Sequence, residues 1–338
     1  MRLVNLYAPD DFRIDQVPEP VASDNDVIVQ VRYCGICGSD VGYVSLGGLA
    51  GPSESAMPLG HELSGTIQAV GRNVNQFEVG DKVCVNPMGA GNAIGNGGGE
   101  GGFADLLLVR NANAGDSVYK LPEHLDMRDG ALVEPLAVGM HAVNQARPQA
   151  GEQAVIFGVG AIGLSCIAAL RYKGITNILA LDYSAERRER ALRMGAIDAR
   201  SPEDLDLMDY LGEHHGKHTL QGWMPAVGTD IFIDAAGANS IVKSVLDVCN
   251  QGARLIVAGL HRTPVDIDLM MVLMKELSIT GSMAYPTEFP EVLDMLQNSD
   301  LDLSAMVSHH FPLDEFDKAF AVARSPEAGA KIIIDIQN

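Results

Sequence analysis

The sequence predicts an α/β protein in two parts: a small β-rich domain, and a doubly wound domain whose parallel sheet carries helices on both faces. Three observations predict this. Short β-branched runs punctuated by turn residues fill the chain to about residue 145, strands and helical segments alternate from about residue 132 onward, and glycines 158, 160 and 163 stand between one strand and its helix. A chain of 338 residues is long enough for two cores.

In the first part, residues 26–31, 63–67 and 81–85 alternate apolar and polar positions and read as strands, with turns at 71–73 and 78–81. Residues 88–102 are rich in Gly and Asn, the composition of a surface loop. The loop lies inside the domain, because strand character resumes at 103–109.

In the second part, residues 154–157, 178–182, 231–234, 254–259 and 277–280 are nearly continuous apolar runs separated by helical patterns such as 186–194. Strands buried on both faces have this composition. Residues 154–170 are uncharged and approach the length of a membrane helix, but Gly158, Gly160 and Gly163 make a strand, a turn and a helix the better reading. Between 201 and 229 the pattern is weak; His214, His215 and His218 cluster there without a nearby cysteine, as in a solvated polar loop. From about Tyr285, two amphipathic helices precede a strand at 331–336, which is expected to return to the first domain.

Composition removes several function classes. Lys+Arg number 24 against Asp+Glu 44, a formal charge of -20, which disfavours nucleic acid and anionic membrane surfaces as partners. Cys34, Cys37, Cys84, Cys166 and Cys249 are odd in number and scattered, unlike a disulfide framework, so a reducing cytoplasm is expected. Asp10 and Asp11 follow the first apolar residues too soon for a signal peptide.

The stretch Phe157-Gly158-Val159-Gly160-Ala161-Ile162-Gly163 is a dinucleotide fingerprint of the Rossmann type. Its glycines allow a tight turn, backbone approach to a pyrophosphate, and close helix packing, with the helix N-terminus facing the phosphate charge. Asp182 ends the next strand 19 positions after Gly163, where a carboxylate accepts hydrogen bonds from the ribose hydroxyls of NAD and repels the 2'-phosphate of NADP. Arg187 and Arg188 follow; they could serve a 2'-phosphate, or simply solvate a helix face.

Cys37-Gly38-Ser39-Asp40, then Gly60-His61-Glu62, then Glu134-Pro135-Leu136, bring thiolate, imidazole and carboxylate groups into one order ahead of the fingerprint. Zinc accepts S, N and O ligands, and a catalytic zinc site keeps one position open. Over nearly its whole length the chain resembles the zinc-dependent medium-chain alcohol and polyol dehydrogenases. The closest likeness is to the branch with sorbitol, 2,3-butanediol, threonine and idonate dehydrogenases, carried by residues 134–138 and 281–285.

The resemblance implies a GroES-like catalytic domain at residues 1–136 and 285–338 and a Rossmann NAD-binding domain at 137–284. It implies that Cys37 and His61 bind a catalytic zinc, that Glu62 ligates or exchanges with water, and that Glu134 stands where a further ligand or water-binding carboxylate does. Cys34 would then be structural, although Cys34 and Cys37 also read as a redox C-x-x-C pair. On that resemblance zinc would lower the pKa of a bound alcohol and NAD would take the hydride, Ser39 would pass the proton outward, and Asp40 would brace the zinc loop.

Two departures from the family pattern stand out. Gly42 occupies the position where many relatives end the proton relay with histidine, and residues 86–100 lack the four cysteines of a second, structural zinc. One zinc per chain is therefore expected. The substrate expected is a small-molecule secondary alcohol, a polyol, diol or sugar acid, with Tyr43, Leu46 and Tyr285 as candidate pocket residues. Family members pair as homodimers or homotetramers; residues 265–274 could add apolar contact area or form a buried helix. The alternatives are a zinc-dependent ketone reductase using NADPH and a non-catalytic dinucleotide-binding protein.

Overall fold

The structure is a computed structural model that describes residues 1–203, 205–325 and 329–338. The chain divides into two compact units, Met1–Glu134 with Val307–Asn338, and Pro135–Met306.

The first unit is organised on the long strand Val27–Ile36, whose β-branched residues Val27, Val29 and Val31 enter the core. It pairs antiparallel with Glu62–Val70, Leu106–Val109 and the C-terminal strand Lys331–Asp335. The register sets Gly35 opposite both Glu62 and Ile333, so residues from three distant parts of the sequence meet at one end of the sheet. Helix Gly38–Leu46 leaves that same end, and helix Phe316–Ala323 covers the core through Phe316 and Phe320, which pack with Phe12. The Gly-rich stretch at 88–102 is an ordered loop. Asn92 donates to the carbonyls of Gly89 and Arg110 and accepts from the Arg110 amide, and Ile94 is buried beneath it.

In the second unit the strands Gln153–Phe157, Asn177–Leu181, Asp198–Arg200, Ile231–Asp234, Arg254–Val257 and Ser278–Gly281 form one parallel sheet. Numbered along the chain, these strands lie in the order 3-2-1-4-5-6. That is the doubly wound order, in which ligands bind beyond the carboxyl ends of the strands where the order reverses, between strands one and four.

The boundary expected at 285 lies at 307 instead. Helix Phe289–Asn298 belongs to the second unit because polar contacts fasten it there: Glu288 bonds His141 at 2.7 Å, Asn144 donates to Glu291 at 2.8 Å, and Lys173 and Tyr172 pair with Glu291 and Asp294. An amphipathic pattern shows that a helix buries one face but not against which partner. The weakly patterned stretch after residue 201 forms helix Leu207–His215 and the hairpin Lys217–Leu220 with Met224–Val227. His215 is not solvated as expected. It is buried, its Nδ1 bonded to Thr229 at 2.8 Å, and burial pushes its pKa down to about 4.

Candidate active site

Cys37 caps the N-terminus of helix Gly38–Leu46, and the helix sends Asp40 back beneath it. One Asp40 oxygen accepts the Cys37 amide at 2.8 Å; the other faces His61 Nδ1 at 3.6 Å. Asp40 is wholly buried; its carboxylate fixes the Cys37 backbone and sets a negative charge beside the His61 ring. Ser39 Oγ lies 3.3 Å from His61 Nε2, on the opposite side of the ring from Asp40.

The next residue, Glu62, points into the sheet end. Its Oε1 accepts from Lys331 Nζ at 2.6 Å, while Oε2 has no hydrogen-bond partner although it is buried. Gly35 makes room for it: a Cβ there would stand 2.2 Å from Oε2. Sequence reasoning passed over Lys331 and Gly35; the available signal was a lysine heading an otherwise apolar strand.

The ligand atoms of Cys37, His61 and Glu62 all lie within 4.8 Å of one another, and no other such group of three or more occurs among the described residues. The set offers sulfur, nitrogen and oxygen, and contains a buried carboxylate oxygen without a partner. Burial works against a charged His61, but Asp40 and Cys37 together raise its pKa well above the ordinary value. The pocket thus favours a positive charge, and a metal cation would replace that proton. These residues fit zinc. Cys37 and Ser39 are only partly buried, which leaves one side of the cluster open. Cys34 is buried within the core and its thiol is raised well above the usual range by burial, the environment of an inert cysteine.

Glu134 is buried and is not within 4.8 Å of all three ligands, but its charge acts on Lys331 together with those of Glu62 and Cys37. Tyr43 lies on the face of the helix that carries Ser39, half-buried, and donates to Asn96 Oδ1 at 3.0 Å. Leu46 is exposed at the end of the same helix. Tyr285 belongs to the other unit, where it packs on Phe289.

In the second unit, Gly158 adopts φ +83° after strand Gln153–Phe157, and a Cβ at Gly163 would stand 2.0 Å from the Gly158 carbonyl. Ile162 lies in the first turn of helix Ala161–Tyr172, which begins after Gly160. Asp182 sits beside this turn; one oxygen accepts the Val159 amide at 2.9 Å and the other the Ser184 amide at 2.9 Å. Arg187 approaches Asp182 at 4.0 Å, whereas Arg188 is spent on the carbonyls of Asp182 and Tyr183. The turn, the helix N-terminus and the carboxylate stand together as a dinucleotide site requires.

Residues 23–123 match the alcohol dehydrogenase GroES-like domain, and residues 161–298 match the zinc-binding dehydrogenase family. The chain is 31% identical to the "Probable D-xylulose reductase A" of Arthroderma otae, covering 95% of this chain and 93% of that one. It is 28% identical to the (R,R)-butanediol dehydrogenase of Bacillus subtilis over 99% of both chains. The crystal structure of 2R,3R-butanediol dehydrogenase from that organism superposes with a TM-score of 0.87 at 27% identity, covering 99% of both chains. The structure of a "putative zinc-binding dehydrogenase" from Sinorhizobium meliloti, bound to NADP, gives a TM-score of 0.86 at 25% identity over 99% of both chains. The fold and the site define a zinc-dependent oxidoreductase with a nicotinamide cofactor. The chain belongs to the zinc-dependent medium-chain alcohol and polyol dehydrogenases.

Proposed function

We propose that the protein oxidises a secondary alcohol of the diol, polyol or sugar-acid class to the ketone with NAD, at a single catalytic zinc held by Cys37, His61 and Glu62. The observation that carries this reading is the convergence of those three ligand atoms within 4.8 Å of one another above a bracing Asp40. Bound there, zinc would polarise an alcohol oxygen and lower its pKa, and the nicotinamide of NAD would be the hydride acceptor. Asp40 places its charge 3.6 Å from His61 Nδ1, and the imidazole would supply the nitrogen ligand. Ser39 would relay the alcohol proton, taking it on Oγ while giving its own hydroxyl proton to water, and Glu134 would hold water nearby. Lys331 steadies Glu62 by one oxygen and leaves the other for the cation.

NAD is favoured over NADP because the buried Asp182 carboxylate would face a 2'-phosphate. Tyr43, Leu46 and Tyr285 are proposed as substrate-pocket residues. The protein is proposed to act as a homodimer or homotetramer. Leu269, Met270 and Leu273 on helix Leu269–Lys275, with Met283 beyond strand Ser278–Gly281, leave apolar area at that edge of the sheet exposed. All five cysteines are free, in keeping with a cytoplasmic setting, and no described helix is long and apolar enough to cross a membrane.

The test is a panel of polyols, diols, sugar acids and simple secondary alcohols with NAD and NADP in parallel, on protein of measured zinc content. Highest kcat/KM on a vicinal diol or polyol with NAD supports the proposal. No turnover by zinc-replete protein that binds NADH would support a non-catalytic role instead.

A further inference from the structure

We propose that His261 is a positioning residue for the dinucleotide site, clamping the two loops that follow strands Ile231–Asp234 and Arg254–Val257 into one wall beside the glycine turn. The inference rests on the nicotinamide-dependent reading above. Asp234 is paired in register with Phe157, the last residue before the glycine turn, and with Val257 on its other side. The loop it starts abuts that turn, since a Cβ on Gly158 would stand 2.7 Å from Ala236 Cβ. Residues 235–239 therefore line the crevice where strand order reverses, the place at which doubly wound sheets bind ligands.

That loop has little side-chain bulk to hold it: it reads Ala235-Ala236-Gly237-Ala238. Asp234 compensates from below. It is wholly buried, and its Oδ1 accepts the Ala236 amide at 3.0 Å and the Gly237 amide at 2.7 Å. Its Oδ2 is engaged by His261 Nε2 at 2.8 Å, and because a carboxylate oxygen only accepts, Nε2 carries the proton. The other ring nitrogen of His261 faces Asn239 Oδ1 at 3.1 Å, at the start of the helix that the first loop leads into. Asn239 is oriented in turn by donating to Thr263 Oγ1 at 2.8 Å and to the Pro264 carbonyl at 3.3 Å. The backbones of the two loops press together, for a Cβ on Gly259 would lie 2.2 Å from the Gly237 amide nitrogen.

One imidazole from the second loop thus anchors the carboxylate that carries the first loop. Nothing else in the second loop bonds the Asp234 side chain. The polar contacts of His261 are with Asp234 and Asn239, outside the fingerprint, so its effect on cofactor passes through the wall.

The test is NADH binding by fluorescence titration on the full chain, with urea denaturation in parallel, for wild type, His261→Leu and His261→Gln. Glutamine can still donate to Asp234; leucine cannot. His261→Leu is expected to weaken NADH binding three- to tenfold, the scale of one hydrogen bond, with zinc content unchanged. His261→Gln is expected to stay within twofold of wild type. His261→Leu binding NADH like wild type would overturn the inference, as would equal weakening in both variants. Wild-type protein that binds no NADH would instead refute the dinucleotide reading on which the inference rests.

Discussion

Replacing Lys331 with methionine isolates the interaction that sets Glu62 beside the metal ligands. Lys331 and Glu62 side chains are 3% and 0% exposed and meet at 2.6 Å, and the ammonium also reaches the Ile36 carbonyl at 3.2 Å. At an effective dielectric of ~20 the pair's gross attraction at this distance is about 6 kcal/mol, much of it offset by desolvation. Removing one partner leaves the other charged and buried, at a cost of about 3–5 kcal/mol. Methionine fills the stem volume of lysine, so the loss reflects charge rather than a cavity. Urea denaturation of metal-free protein should show a loss in that range for Lys331→Met. Zinc-loaded protein should lose less, because the cation partly compensates Glu62. Adding Glu62→Gln removes the uncompensated charge and should recover at least about 1 kcal/mol. A metal-free Lys331→Met protein within about 1 kcal/mol of wild type, by the same reasoning, would refute this description of the site.

Three further outcomes are expected. His215 ionises near 6.5 when unfolded but only near pH 4 when folded. Between those values the unfolded state binds the extra proton, so stability is lost as the pH falls, by up to about 1.4 kcal/mol per unit. Above 6.5 this penalty is absent, and His215→Gln should flatten the slope in denaturation midpoints taken from pH 7 to 4.5; an unchanged slope would show that other groups set it. Asp182→Ala should lower kcat/KM for NAD at least tenfold and change that for NADP little, narrowing the cofactor preference; an unchanged ratio of the two would remove Asp182 from cofactor choice. Lys275, fully buried, donates to the Leu246 and Asp247 carbonyls at the end of helix Asn239–Val248 at 2.7 and 3.0 Å. Lys275→Met should cost about 2 kcal/mol in urea denaturation, and a neutral result would mean that the desolvation of its charge offsets both bonds.

What the sequence disclosed was local. The glycine turn, the Cys37 loop and the apolar run at 331–336 are each readable within a few residues, because turn chemistry and alternation are short-range signals. What escaped was set by pairing across the chain. Glu62 and Lys331 are 269 positions apart, and nothing near either one announces the other. Gly35 has no signal of its own in the sequence, yet it clears space for a carboxylate on the neighbouring strand. The shift of the domain boundary from 285 to 307 has the same origin, since Glu288 and Glu291 find partners on helices more than a hundred residues earlier. His215 was misjudged because a polar neighbourhood in sequence concealed burial against Thr229.

The most direct test of the central claim is the zinc stoichiometry of purified protein beside that of Cys37→Ala and His61→Ala. The site described here predicts one zinc per chain in the wild type, lost together with dehydrogenase activity in both variants while NADH binding persists. Zinc retained at full stoichiometry after either substitution, or two tightly held ions per wild-type chain, would contradict it.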